Sequence, residues 1–364
     1  MLRLLVALFI AAASACTDER RSTESRGSVV SADTLKPAVV TEAVVDDSDD
    51  PAIWSDSGHS ELSIVLGTDK QDTVGGVYVF GLDGRIHRAR SVTPLKRMNN
   101  VDVEYGLTLA GAPVDIAVAT ERNRMRLRVF ALPEMRAIDD GGILVFNSDT
   151  ARAPMGIALY KRPRDGAIFA IVGGKSGPTD GSYLWQYRLE DDGSGRVRGV
   201  KVREFGAFSG RKEIEAIAVD DALGYVYYSD EGAGIRKYYA DPDAGNQQLA
   251  FFGTTGFVED QEGIGIYQRD ERTGYILVAD QDGNRVQVFP REGTPSDPHA
   301  HPVIAVIPVA ARETDGLEVT SLPVGPAFPR GMLVMMSNDG TFHYYRWEDV
   351  ERAIASVQPL HGAR

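Results

Sequence analysis

The side chains best equipped for chemistry in this 364-residue chain are carboxylates that recur at the start of short hydrophobic runs. Asp49 and Asp50 open DDPAIW, Asp102 lies in NNVDVEY, Glu215 in EIEAIAVDD, Glu262 in DQEGIGIY and Asp315 in ETDGLEVT. A second polar set follows runs of the type SIVLGTDK: Lys70, Arg122, Lys175, Glu231, Gln281 and Asn338. Carboxylates held side by side repel, and each resists ionisation unless a cation intervenes. A donor set of oxygens, without histidine or cysteine, selects a hard ion, Ca²⁺ or Mg²⁺. Many ligands on irregular loops favour Ca²⁺. Lys70, Arg122 and Lys175 suit phosphate oxygens. Metal ions beside a cationic pocket are what phosphoryl chemistry uses, since they activate water and hold the departing group. Any one of these acids alone reads as a turn residue or a solubilising charge. Their recurrence at one phase asks for another explanation.

That phase comes from a repeat. SIVLGTDKQDTVGGVYVF, DIAVATERNRMRLRVF, IFAIVGGKSGPTDGSYLWQY, YVYYSDEGAGIRKYY, YILVADQDGNRVQVF and MLVMMSNDGTFHYY end on Phe80, Phe130, Tyr187, Tyr239, Phe289 and Tyr345. Their spacing is roughly fifty residues and they contain only strand patterns, which predicts an all-β, six-bladed β-propeller in one domain. The acid-led runs alternate apolar residues and read as the innermost strands. The outer strands vary more, with RIHRARSV, VREFGAF and VIAVIPV as candidates. VVTEAVV (39–45) is expected to supply the outer strand of the last blade and close the ring, leaving no long free edge. In an up-and-down blade the start of the first strand and the end of the second share a face. Both polar sets are therefore expected at one mouth of the channel, bases in blades one to three and acids mainly in blades four to six.

Composition narrows the partners. The net charge of −13 speaks against nucleic acid, whose phosphates call for a basic face. Residues 1–15 read as an export signal: Arg3, an apolar stretch too short to span a bilayer, then Ala13-Ser14-Ala15. Cys16, the only cysteine, directly follows, as in a bacterial lipobox, so a lipidated N-terminus on the cell envelope is one expectation and free secretion the other. The chain has no disulfide. Residues 16–37 are polar and read as a flexible tether, with the propeller over 38–364. The membrane is expected only through that lipid, and a monomer is expected. The six histidines miss the phased positions and read as surface or packing residues. GGKSG (173–177) lacks the spacing of a phosphate loop.

DDSDDPAIW (46–54), LGTDK (66–70), NNVDVEYG (99–106), EIEAIAVDDALGYVYYSDE (213–231), QEGIGIY (261–267), LVADQDGN (277–284) and ETDGLEV (313–319), in that order, closely resemble the bacterial β-propeller phytases. The resemblance implies a 3-phytase: a calcium-dependent phosphomonoesterase acting on phytate, or calcium-phytate, through several bound ions and direct attack of a calcium-bridged water. It implies calcium ligands among Asp49 or Asp50, Glu215, Glu231, Glu262, Gln281 and Asp315, with Lys70, Arg122 and Lys175 on phosphate. Glu215, Glu231, Glu262 and Asp315 are then the catalytic set, and Asp102 and Asn338 further ligands by phase. The chain departs from the family on the substrate side: Gln71 stands for a second lysine, Met155 for a tyrosine, and Ser176 for an acid. Two alternatives use the same fold: a lactonase-type propeller hydrolase with one central calcium, and a non-catalytic binding propeller of the envelope.

Overall fold

The computed structural model describes residues 30–31 and 33–357, so the export segment and Cys16 lie outside the described residues. Six antiparallel sheets follow one another along the chain. Their innermost strands are Ser48–Trp54, Met98–Leu109, Pro154–Lys161, Ile217–Asp220, Gln261–Gln268 and Leu317–Thr320. Each pairs with the strand after it, and the inner strands touch in sequence around a ring in which the first also meets the last. This is the expected six-bladed propeller. The apolar residues of each blade alternate faces, so the core divides into hydrophobic clusters between neighbouring blades.

The ring closes as the N-terminal pattern predicts. Val39–Val40 pairs with Thr341–Arg346, Val39 opposite Tyr344. Blade one has three full strands, because residues 85–92 pair with the blade at the isolated Val77–Val92 and Phe80–Ile86 bridges and turn back at His87.

Two features differ from expectation. The end of the proposed tether is packed chain. Val30 and Leu35 bridge in parallel to Val306 and Val309, and Leu35 is buried. The outer edge of blade five offers unpaired backbone groups, and this segment covers them. The second feature is a helix, Trp347–Val357, whose Trp347, Val350, Ile354 and Val357 form one buried stripe. Trp347 stacks on Tyr267 at a centroid distance of 3.4 Å. The helix follows a third strand, which places it at the face away from the mouth.

Candidate active site

Four of the six second strands end in acids that are spent on structure. Asp69 accepts the Asp46 and Asp47 N–H groups at 3.2 and 3.3 Å. Glu121 takes Lys96 N–H at 3.0 Å and Arg126 Nε at 2.6 Å. Asp230 takes Ser209 N–H at 2.9 Å and Arg236 Nε at 2.8 Å, while Asp280 takes Val258 N–H at 3.0 Å and Arg285 Nε at 2.7 Å. All four are buried, and each ties the end of its strand to the loop that leads into the inner strand of the same blade. The residue after each strand end is the one left for the mouth: Lys70, Arg122, Lys175, Glu231, Gln281 and Asn338.

Lys70, Lys175, Glu231 and Gln281 line one cavity of about 510 Å³ together with Glu215, Glu262 and Asp315. One oxygen each of Glu215, Glu231 and Glu262 lies within 4.8 Å of the others. Lys70 reaches across to Asp49 at 3.0 Å and to Asp315, and the Gln281 amide also donates to Asp315. Asn99 donates to Asp49 at 3.1 Å and to Glu215 at 3.2 Å. Lys175 holds Glu213 at 2.6 Å, and Lys212 holds Asp260 at 2.6 Å. Arg122 is half-buried within the fields of Glu213, Glu215 and Asp49. Asn338 lines the adjoining cleft with Asp46, Asp47, Asp282 and Glu313, and donates to Glu313 at 2.8 Å. The bases and acids of the mouth are therefore interleaved, with the lysines serving as counter-ions to the carboxylates.

Burial first, and neighbouring carboxylates next, push Glu215 and Glu262 well above the usual carboxylate range and Glu231 up to about 9. Burial and Asp49 raise Asp315 to about 6 against the pull of Lys70. Burial opposes the charge on Lys70, but Asp49, Asp315 and Glu215 outweigh it and raise its pKa. Glu231 Oε1 and Glu262 Oε2 are buried without a hydrogen-bond partner. Buried acceptors seldom stay unpartnered, so orphaned oxygens on two of three converging carboxylates fit a hard cation.

Asp102 is not at this mouth. Its carboxylate accepts Val103 and Leu159 N–H groups at 2.6 Å each, deeper in the channel, beside Glu104, Asp221 and Glu318 around a cavity of about 230 Å³. The register shift between Met98 and Val101 explains the difference: the bulge sets Asn99 at the mouth and Asp102 below it. Ser48–Pro51 carries a similar shift, and it separates Asp49, which faces the mouth, from Asp50, which accepts Val101 N–H at 3.1 Å and lines the channel. Burial raises Asp102 to about 7 and Glu318 to about 8. Gly156 lets blades three and four close here, since a Cβ would stand 1.9 Å from the Glu215 carbonyl oxygen. His301 and His343 are buried packing residues. Phase did not select Asn99, Glu213, Asp260 or Lys212. The shared spacing of EIE (213–215) and DQE (260–262) carried a signal for the two acids.

Fold and site together define a six-bladed β-propeller with a buried carboxylate cluster and phosphate-compatible cations at one mouth. The chain belongs to the phytase family, whose model matches residues 1–344, and is an enzyme of that family. It is 29% identical over 341 residues to a 3-phytase of Bacillus subtilis (strain 168), covering 87% of this chain and 83% of that one. Its fold resembles that of a calcium-binding protein, regucalcin, from Agrobacterium tumefaciens str. C58. The TM-score is 0.52 at 11% identity, over 87% of this chain and 95% of the other.

Proposed function

We propose that this chain hydrolyses phytate, myo-inositol hexakisphosphate, as a calcium-dependent phosphomonoesterase. The observation that carries the reading is the convergence of Glu215, Glu231 and Glu262, two of them with orphaned oxygens, beside Lys70, Arg122 and Lys175 in a phytase-family chain. Calcium, when bound, supplies positive charge to the mouth and acidifies a coordinated water. Glu215, Glu231 and Glu262 would hold such an ion between their converging oxygens. Asp49, Asp315 and Gln281 form the adjoining wall, and Asn338 the cleft beyond it. Lys70 keeps its ammonium charge at the centre because Asp49 and Asp315 fix it there. Arg122, with no ion pair among the described residues, takes the substrate's phosphate oxygens, and Lys175 does so on release from Glu213. Positioning and charge stabilisation are the residues' contribution to such a reaction.

The test is phosphate release from phytate as calcium is titrated in, chelated and restored. Release should rise with calcium, stop with chelator and return. Absence of release at every calcium level would sink the proposal, and lactone hydrolysis without phosphate release would favour the lactonase-type alternative. We further propose that the chain is exported. Mass spectrometry of the mature N-terminus checks this, with a lipidated Cys16 or a free N-terminus near it expected.

A further inference from the structure

The loop that leads into blade three is built on backbone conformations that most side chains avoid. Phe146, Asn147, Ser148 and Ala153 all have φ between 37° and 61°, in the left-handed region. Such a run persists only where its surroundings over-determine it. Arg152, which no motif or phase selected, supplies much of that constraint. Its side chain is buried, and the guanidinium stands over the Phe146 ring at 3.9 Å from the centroid, with the Tyr183 and Trp185 rings each at 5.5 Å. Other buried arginines are answered by acids: Arg291 by Asp220 at 2.6 Å and Arg128 by Asp139 at 2.7 Å. Arg152 has no ion pair among the described residues. Rings hold it instead, together with the Tyr183 carbonyl, to which it donates.

Three hydrogen bonds run from there to the mouth and back. The Arg152 guanidinium donates to the Tyr183 carbonyl, the Tyr183 hydroxyl donates to the Gly174 carbonyl, and Lys175 N–H returns to the Arg152 carbonyl at 2.8 Å. Lys175 N–H also reaches the Ala153 carbonyl at 2.9 Å, and Ser176 Oγ donates to that of Ala151 at 2.5 Å. Gly174 permits this approach, since a Cβ there would stand 2.5 Å from the Arg152 carbonyl oxygen. The circuit therefore grips the chain on both sides of Lys175. It also reaches the acids: the Gly174 carbonyl accepts Ile214 N–H at 3.4 Å, between Glu213, the partner of Lys175, and Glu215. The Tyr183 ring is buried and packs on Phe208 at 4.3 Å, which gives the circuit a fixed base.

We propose that Arg152 is a positioning residue for the reaction. Acting through Tyr183 and the Gly174–Lys175 turn, it fixes where the Lys175 ammonium stands when substrate arrives. A guanidinium suits the task because its planar fork can lie on a ring and still donate to a carbonyl. The inference rests on the phytase reading, in which Lys175 takes phosphate oxygens.

The experiment is a double-mutant cycle on phytate in calcium, with Arg152→Met, Lys175→Ala and the two combined. Lys175→Ala should raise the KM about tenfold, the loss of one charge-assisted contact. Arg152→Met should raise it about threefold to tenfold, because a misplaced ammonium keeps part of that contact. Its kcat should change less than about twofold, as for a loss of uniform binding. The calcium-dependent gain in melting temperature should stay. The combined variant should be no worse than Lys175→Ala alone. Tyr183→Phe, which keeps the ring and removes only the bond to Gly174, replaces Arg152→Met in the cycle if that variant does not fold. An unchanged phytate KM, an equal effect with and without Lys175, or a lost calcium-dependent gain would overturn the proposal. A wild type that releases no phosphate from phytate would instead defeat the proposed function. The acylation rate of Lys175 by acetic anhydride, read by mass spectrometry without substrate, would then decide the role of Arg152: it should rise in Arg152→Met, and an unchanged rate overturns the proposal.

Discussion

Glu215, Glu231 and Glu262 are acids that the fold makes reluctant to ionise, and this sets a pH dependence. Their folded pKa values lie above the unfolded ones, with Glu231 at about 9. Protonated, they add stability that is fully present below the unfolded pKa near 4.3 and is lost as pH rises through the folded values. Chelated protein should therefore melt lower as pH climbs from about 4.5 to 9, whereas calcium should reverse or flatten that slope. Scans with chelator and with calcium check both. Replacing Glu262 by Gln removes one mutual repulsion and one ligand charge. The chelated variant should melt above chelated wild type, while its calcium-dependent gain shrinks from a scale of about 3 kcal/mol at a hundredfold excess over Kd. Arg122→Ala should instead lose turnover at least tenfold, with a melting shift of a few degrees at most and an intact calcium response. Equal losses of the calcium-dependent gain in the two variants would contradict this division of labour. The phased acids were legible in the sequence because each strand pair repeats the same offset. Asp102 misled because one bulge residue shifts the offset, and bulges leave no fixed residue signature. Asn99 escaped because the same bulge, not strand period, brings it to the mouth.

At the scale of elements, the strand-ending acids form a recurring device. Asp69, Glu121, Asp230 and Asp280 hold the incoming loop, so that the next residue is presented at a fixed height on the mouth. Removing Glu121, which precedes Arg122 and no metal ligand, should cost stability without touching the metal response. Glu121→Ala leaves Lys96 N–H and Arg126 short of a buried acceptor, at a cost of about 2–3 kcal/mol. Denaturant titration with and without calcium checks this: the midpoint falls, and the calcium increment stays. The same device explains a limit of sequence reading. In SDE (229–231) and ADQ (279–281) two adjacent polar residues look equivalent, and only the pairing partners separate the structural acid from the one at the mouth.

The molecule as a whole was the most legible level, since six copies of one pattern leave few folds that can use them. What stayed hidden was short or unrepeated. The helix Trp347–Val357 was readable from its apolar spacing, but it lies outside the repeat. The docking of Val30 and Leu35 depends on an edge formed some three hundred residues downstream. Closure is testable at this scale. Ala38, Thr41 and Val44 each donate a backbone hydrogen bond to blade six. At about 1 kcal/mol apiece, a chain beginning after residue 45 should melt lower by roughly 5–10 °C, and it should self-associate through the bared edge. Size-exclusion chromatography and calorimetry report both.

Closure also imposes an order of events on the molecule's birth. Val39 finds its partner Tyr344 only when nearly the whole chain exists. At ribosomal rates of roughly 5–20 residues per second, the first-made strand waits roughly 15–60 s for the last blade. Until then the ring stands open, and the acids of blades four to six have no mouth to share. Under the export proposed for this chain, that delay keeps it slack during passage, and it latches when its final blade arrives.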